Sequence, residues 1–545
     1  MNTIQSSEVS MKVNQANLVK SLKFSFTNST TVLAELMQNA RRAQATQVIF
    51  SFNSETKVLQ VSDDGCGIDS IEALLTVAES GWDAEIVANE HPFGIGFLSA
   101  LFACRHISVI SKSGCIAVDT DDVLAFKPVT IQPIKTWDGV TTITLQDVDL
   151  EIDKIAAALR RFACGFPIPV IFNEENLDRE VAMDSGLEFV PTEIGAVFLY
   201  GMQEPIGAQY EFDLYLQGLP IYRSHSYASK RHVIHLDSAK FHARLPDRDK
   251  LIDEKEVVKL VNAMLAIEIE KRLLAIKAEK TPEEFVAFFE MMRHWNLLKL
   301  LNDVPVVPSA ALQEITCYPV CDTDIFDDFE QCPKKAMTRA EIEARGVVSI
   351  DDDISMDGAG RYLFAREKNY LIYYRKLDSE HWINTLVRDL NDERLIIECV
   401  NETHSAQFQG NWLWFNVRFC DGYLIKLGHE MIEISNDAIY LGQAHGEEAI
   451  IPKGDGSAQV LTQISSYRNE FDDFQEPSYE ADCDAFVSFM VANTAKDPAH
   501  ALKRLLPDFC GCPSLYGQSF SLVLNEKGQV ESVALLQNGV EVLPV

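Results

Sequence analysis

The chain has 545 residues, enough for about three domains with ample cores. Its 81 acidic and 48 basic side chains leave a formal charge of −33, which works against nucleic-acid binding unless a local basic patch exists. It has no run of 18 apolar residues, so no membrane-spanning helix is expected.

The N-terminus, MNTIQSSEVSMKVNQ, lacks the basic and apolar segments of a signal peptide. The twelve cysteines are scattered without a dense framework, which fits reduced thiols and a cytoplasmic protein. From Asn14 to Phe26, Leu18, Leu22 and Phe26 recur at four-residue steps and predict a helix. Leu33, Leu36, Met37 and Ala40 then form an apolar stripe at i, i+3, i+4 and i+7. Glu35 and Asn39 are four apart and share one face of that helix. A carboxylate there can take a proton from water, and a carboxamide oxygen one turn on suits Mg²⁺, a hard ion that prefers oxygen. An ordinary polar helix face would look the same.

Gln47 to Phe52 and Lys57 to Ser62 read as paired strands, the second breaking at Asp63-Asp64-Gly65-Cys66-Gly67. Gly65 and Gly67 let the backbone turn and approach a ligand closely. Asp63, at the strand end, can accept a hydrogen bond from a neutral donor such as an adenine amino group, although a plain Asp-Gly turn has the same pattern. Asp69 to Gly81 predicts a helix and residues 82–92 a lid. In Phe93-Gly94-Ile95-Gly96-Phe97, Gly94 and Gly96 open a helical run from Leu98 to Cys104. Backbone N–H groups at such a helix start face phosphate well. Further strands are expected at His106–Lys112, Gly114–Asp119 and Gly139–Leu145, with an amphipathic helix at Ile152–Cys164.

Three such motifs in this order within 70 residues resemble the GHKL ATPases: gyrase B, Hsp90, histidine kinases and MutL. FGIGFLSALFACRHISVISK and LTVAESG are most similar to Hsp90, as is the helix leading into Gly165-Phe166-Pro167-Ile168. The short connection from Asn39 to Asp63 is more MutL-like. The resemblance implies an α/β chain: a Bergerat-fold α/β sandwich nucleotide domain over 1–176, then an S5-like α/β middle domain over 177–304. Residues 305–545 are expected to be an acidic α+β region of unknown fold.

By the resemblance, Glu35 is the general base, Asn39 holds Mg²⁺, and Asp63, Gly65, Gly67, Gly94, Gly96 and Thr141 bind ATP. Thr142 is the alternative to Thr141, which keeps the alternation of Thr-x-Ile-x-Leu. The lid is shorter than is usual in Hsp90. In the middle domain, strands are expected at Ala196–Tyr200, Tyr210–Gln217 and His232–Leu236. His242 to Leu251 resembles the loop that offers an arginine to the terminal phosphate, so Arg248 is the expected catalytic partner, with Lys250 in reserve.

Asp253–Ile276 and Thr281–Leu301 read as two long helices, with Pro282 in the first turn of the second. Phe285, Phe288, Phe289, Met292 and Trp295 make a heavy apolar face, read as core. Residues 301–545 hold 40 acidic and 19 basic side chains. Cys317, Cys321, Cys332, Cys510 and Cys512 form no CxxC pair, and no histidine has standard zinc spacing. The family's EEVD tail is not seen in the closing EVLPV. The expectation is a Mg²⁺-dependent ATPase, acting as a homodimer that closes on ATP and grips a protein client, as a chaperone does. The alternative is a MutL- or MORC-like clamp on nucleic acid.

Overall fold

The computed structural model describes residues 10, 14–24, 26, 28–76, 82, 96–205, 211–224, 230–244, 249–321, 328–454, 459–467, 474–537 and 540–542. The chain divides into two compact units, Met1–Leu300 and Leu301–Val545.

The first unit opens with helix α1 (Gln15–Lys23), capped by the Asn14 side chain, and α2 (Thr31–Arg42). The apolar stripe of α2 is buried as its periodicity requires, but the burial goes further. Glu35, Gln38 and Arg42 are also buried, so the expected polar face is an interior one. Strands β1 (Val48–Asn53), β2 (Val58–Asp63), β3 (His106–Ser111), β4 (Gly114–Asp119), β5 (Thr141–Gln146), β6 (Val170–Phe172) and β7 (Glu175–Asn176) form one sheet. Their order is β4-β3-β5-β2-β1-β6-β7, and β6 lies parallel to β1.

Alternation gives this sheet one apolar face: Val48, Phe50, Phe52, Leu59, Val61, Ile107, Val109, Ile143 and Leu145 are buried on it. They share a core with α2, with α4 (Gly96–Ala103) and with α5 (Ile152–Ala163). Each fully buried Leu, Phe or Met there contributes about 1.5–3 kcal/mol. Between β2 and α4, the helix expected at Asp69–Gly81 is described only as α3 (Ile71–Leu74), N-capped by Ser70. Residues 77–81 and all of the expected lid except Trp82 lie outside the described residues.

A second sheet contains β8 (Val190–Thr192), β9 (Gly195–Phe198), β10 (Phe212–Leu216), β11 (Leu219–Arg223) and β12 (His232–Leu236), in the order β11-β10-β12-β9-β8. Helix α6 (Glu254–Glu279) follows and buries Val261, Leu265, Ile269, Leu273 and Ile276. The second long helix, expected over Thr281–Leu301, is instead three pieces. They are α7 (Pro282–Val286), α8 (Phe289–His294) and a 3₁₀ turn at Leu298–Leu301. Pro282 sits in the first turn behind a Thr281–Glu284 capping box. The breaks have local causes. Phe288 N–H bonds back to Phe285 O, tightening the turn, and Asn296 adopts a left-handed conformation (φ 61°) that ends α8. Phe285, Phe288, Phe289 and Met292 are buried, and Trp295 is half-buried.

The second unit contains far more strand than its sequence suggested. A five-stranded sheet and a three-stranded sheet share one core, which includes Leu363, Phe364, Tyr423 and Ile425. A four-stranded sheet packs with helix Glu476–Thr494 around Phe408, Phe415 and Phe486. A last three-stranded sheet spans Ser519–Val542. The twelve cysteines are free thiols, and among the described residues no group of three His, Cys, Asp or Glu side chains is placed to hold a metal. Among them, too, no helix is long and apolar enough to cross a membrane.

Candidate functional site

At one end of the seven-stranded sheet the inward apolar rows run out into polar side chains. Along β2 the row Leu59, Val61 ends at Asp63, and along β5 the row Leu145, Ile143 ends at Thr141. Asp63 and Thr141 are register partners, so they share a face. Thr142 pairs with Ser62 and falls on the other side of the pleat. On β3 the row Ile107, Val109 ends at Ser111, whose Oγ lies 2.8 Å from Thr141 Oγ1 and accepts the Ile68 N–H at 2.8 Å. Ser111, Thr141 and Asp63 thus form a polar row across three neighbouring strands.

The two aspartates at the strand end have different surroundings. Asp64 is exposed and accepts hydrogen bonds from Thr46 N (2.7 Å), Gln47 N (3.2 Å) and the Thr46 hydroxyl. Slight burial pushes its pKa up, but these bonds outweigh it and hold the carboxyl below its ordinary value. Asp63 is half-buried and accepts only the Gly65 N–H among the described residues, at 3.0 Å on Oδ1. Burial pushes its carboxyl above the ordinary value, the Gly65 N–H opposes this, and neighbouring Asp64 adds to it. Asp64 therefore fastens a turn, and Asp63 keeps an oxygen available.

Both glycines of this loop are required by packing within the protein. A Cβ on Gly65 would stand 2.6 Å from Ala43 Cβ, just past the end of α2. Gly67 has φ 76°, and a Cβ there would meet the Trp137 ring at 2.8 Å. Since Ala43 lies one turn beyond Asn39, this contact seats the loop on the C-terminal end of α2.

Glu35 is buried at the other edge of the site. Its carboxylate lies against the first residue of α4, where a Cβ on Gly96 would come 2.2 Å from Oε2. That places an acid at the positive end of a helix. Asn39, one turn along α2, is half-buried, and its amide has no hydrogen-bond partner among the described residues. An uncommitted carboxamide oxygen near a buried carboxylate fits a hard, oxygen-seeking cation such as Mg²⁺.

Gly94 and Arg248 lie outside the described residues. Lys250 is exposed, and its carbonyl accepts the Arg244 N–H at 2.7 Å beside the Ala243–Leu251 bridge. Residues 27–153 match a family model described as histidine kinase-, DNA gyrase B-, and HSP90-like ATPase. The N-terminal part of this chain is a GHKL-type ATPase domain. No curated protein matches the chain.

Sequence reasoning missed three residues of the GHKL domain. Ser111 continues the inward alternation of Ile107 and Val109, a signal that was present. Trp137, whose Nε1 bonds Val140 O at 2.7 Å, covers Gly67, and Gln38 reaches the second sheet. Both act through contacts distant in sequence, which periodicity does not register.

Proposed function

We propose that this GHKL domain binds ATP with Mg²⁺, hydrolyses it to ADP and phosphate, and uses the nucleotide state to drive closure of a homodimer. The observation that carries this reading is the Ser111–Thr141–Asp63 row at the strand ends of a domain of this family, in which half-buried Asp63 keeps an oxygen without a partner among the described residues, joined through Gly65 to the helix bearing Glu35 and Asn39. Asp63 accepts the adenine amino group, with Thr141 holding the neighbouring position. Gly94 and Gly96 give the phosphates their backbone N–H groups. Asn39 supplies an oxygen to Mg²⁺. Mg²⁺, when bound, neutralises phosphate charge. Glu35 draws a proton from the attacking water, a role worth about 10²–10⁴-fold. Arg248, with Lys250 as the alternative, brings a positive charge to the terminal phosphate.

The most suitable client is a protein, held as by a chaperone-like clamp in the cytoplasm. The Hsp90-like third motif and the charge of −33 support this. The short segment between Asn39 and Asp63 favours a second reading, a MutL- or MORC-like clamp on nucleic acid. A DNA shift assay across salt concentrations separates the two, because phosphate contacts weaken steeply as salt rises.

The test of the ATPase reading is Mg²⁺-dependent hydrolysis by the wild type beside Glu35→Ala and Asp63→Asn. Turnover by the wild type, binding without turnover by Glu35→Ala and lost binding by Asp63→Asn support it. A wild type inert at millimolar ATP refutes it.

A further inference from the structure

Gln38 stands between Glu35 and Asn39 on α2 and is almost completely buried, yet neither end of its amide is open to a ligand. Its Nε2 donates to Gln217 O at 3.0 Å, and its Oε1 accepts from Arg41 Nε at 2.8 Å. Gln217 and Gly218 are the two residues of the tight turn joining β10 to β11, and both have positive φ, 54° and 82°. That is the two-residue turn whose twist suits a hairpin. A glutamine in the left-handed region carries a strain that its surroundings must outweigh.

The seat of the turn supplies those surroundings. A Cβ on Gly218 would stand 2.6 Å from Pro167 Cδ and 3.0 Å from Gly165 O. Leu219, the next residue, belongs to the hydrophobic core of the nucleotide domain although it lies on the second sheet. Gly165 in turn is pressed against Tyr215, whose ring would lie 2.4 Å from a Cβ at that position. The β10–β11 hairpin is therefore plugged into the nucleotide domain, and its only side-chain hydrogen bond to α2 among the described residues is the one from Gln38.

We infer that Gln38 is a positioning residue: it locks the pocket helix to the second sheet, so the β10–β11 turn sets where Glu35 stands. The inference rests on the ATPase reading. It makes the second sheet a determinant of the chemical step, and it couples any movement of that sheet to the general base.

The experiment uses the full chain, with Gln38→Ala, Gln38→Met and Gly218→Ala. The last disturbs the same joint from the other side. Each is expected to lower kcat by on the order of tenfold while the Kd for Mg-ATP stays within about twofold, because a general base displaced by a fraction of an ångström loses rate before the site loses affinity. Gln38→Met fills the volume without a donor and should behave like Gln38→Ala. Combining Gln38→Ala with Gly218→Ala should add little to either alone. An active wild type with unchanged kcat in all three variants overturns the inference and leaves the ATPase reading standing. So does recovery by Gln38→Met, or affinity that falls in step with kcat, since packing alone would then explain the site. An inert wild type removes the ATPase reading, and the inference with it.

Discussion

Arg361 in the second unit directs its guanidinium to both oxygens of Asp352, at 2.9 and 3.0 Å, and to the carbonyls of Leu390 and Glu393. Asp63 in the first unit is met by one backbone N–H. The contrast extends to other groups. In the second unit, buried Asp482 receives the N–H groups of Asn411 and Trp412, tying helix Glu476–Thr494 to a hairpin. Arg388 bridges Glu393 and Glu430, and Tyr370 donates to Glu430 as well. These networks close on themselves. In the nucleotide domain, Asp63 and Asn39 keep oxygens without a partner among the described residues. Buried polar groups satisfied by their own chain serve the fold, and those left open at a strand end or on a pocket helix are available to a ligand.

The sharpest test of that contrast is to break a closed network. Arg361→Ala leaves Asp352, whose side chain is 8% exposed, as an uncompensated buried carboxylate. The expected cost is about 3–5 kcal/mol. It should appear as a lower unfolding transition, with faster hydrogen exchange confined to residues 301–545, and with no change in nucleotide affinity.

The opposite perturbation leaves the fold intact and moves an open group. Gly96→Ala puts a methyl where Glu35 Oε2 now lies. The carboxylate is the flexible end of a side chain and can swing away, so stability should fall little. If Glu35 is the base, as proposed, turnover should fall by as much as about 10²-fold, because its carboxylate leaves its place. Equal losses in thermal stability and kcat would contradict this.

How much was legible in the sequence follows the same division. Periodicity located α2, β1 to β5 and α5 closely, because each buries a face against one core and alternation or a 3.6 repeat records that. The same alternation favoured Thr141 over Thr142, and the register beside Asp63 gives the physical reason. The second long helix could not be divided from its sequence, since Phe285, Phe288, Phe289 and Met292 satisfy a helical repeat across the break; the left-handed Asn296 is a backbone choice set by packing. Between Val306 and Asp389 the strands are only two or three residues long and pair across long separations, as Val347–Ser349 does with Val387–Asp389, so no local pattern marks them. The Gln38–Gln217 contact spans 179 positions and is visible only in three dimensions.

A smaller effect separates Asp63 from Asp64. Burial raises the Asp63 carboxyl above its ordinary 3.8. Its charged form therefore costs folding stability, and that cost is relieved as pH falls through the raised value. A donor such as the adenine amino group bonds the charged form, so nucleotide binding should tighten as pH rises through the same value. Each hydrogen bond to a charged group contributes about 1.5–3 kcal/mol. Titration calorimetry across the acidic range should show this slope in the wild type and in Asp64→Asn alike, because both keep Asp63; Asp63→Asn, which cannot ionise, should bind weakly at every pH. A slope that survives in Asp63→Asn assigns the titration to another group.

The smallest effect belongs to Ser111, the residue that joins the polar row to the loop behind it. Ser111→Ala removes one hydroxyl and leaves Thr141 Oγ1 and the Ile68 N–H without their partner. Because Ser111 is fully buried, water cannot replace the lost bonds, and the cost should be about 1–3 kcal/mol of stability. Nucleotide affinity should drop only severalfold, since Asp63 keeps its own bond to Gly65. Thermal unfolding and calorimetry on one preparation distinguish the outcomes. A large loss of affinity at unchanged stability would make Ser111 a ligand contact in its own right; the expected pattern, more stability lost than affinity, makes it the brace that holds Thr141 beside Asp63.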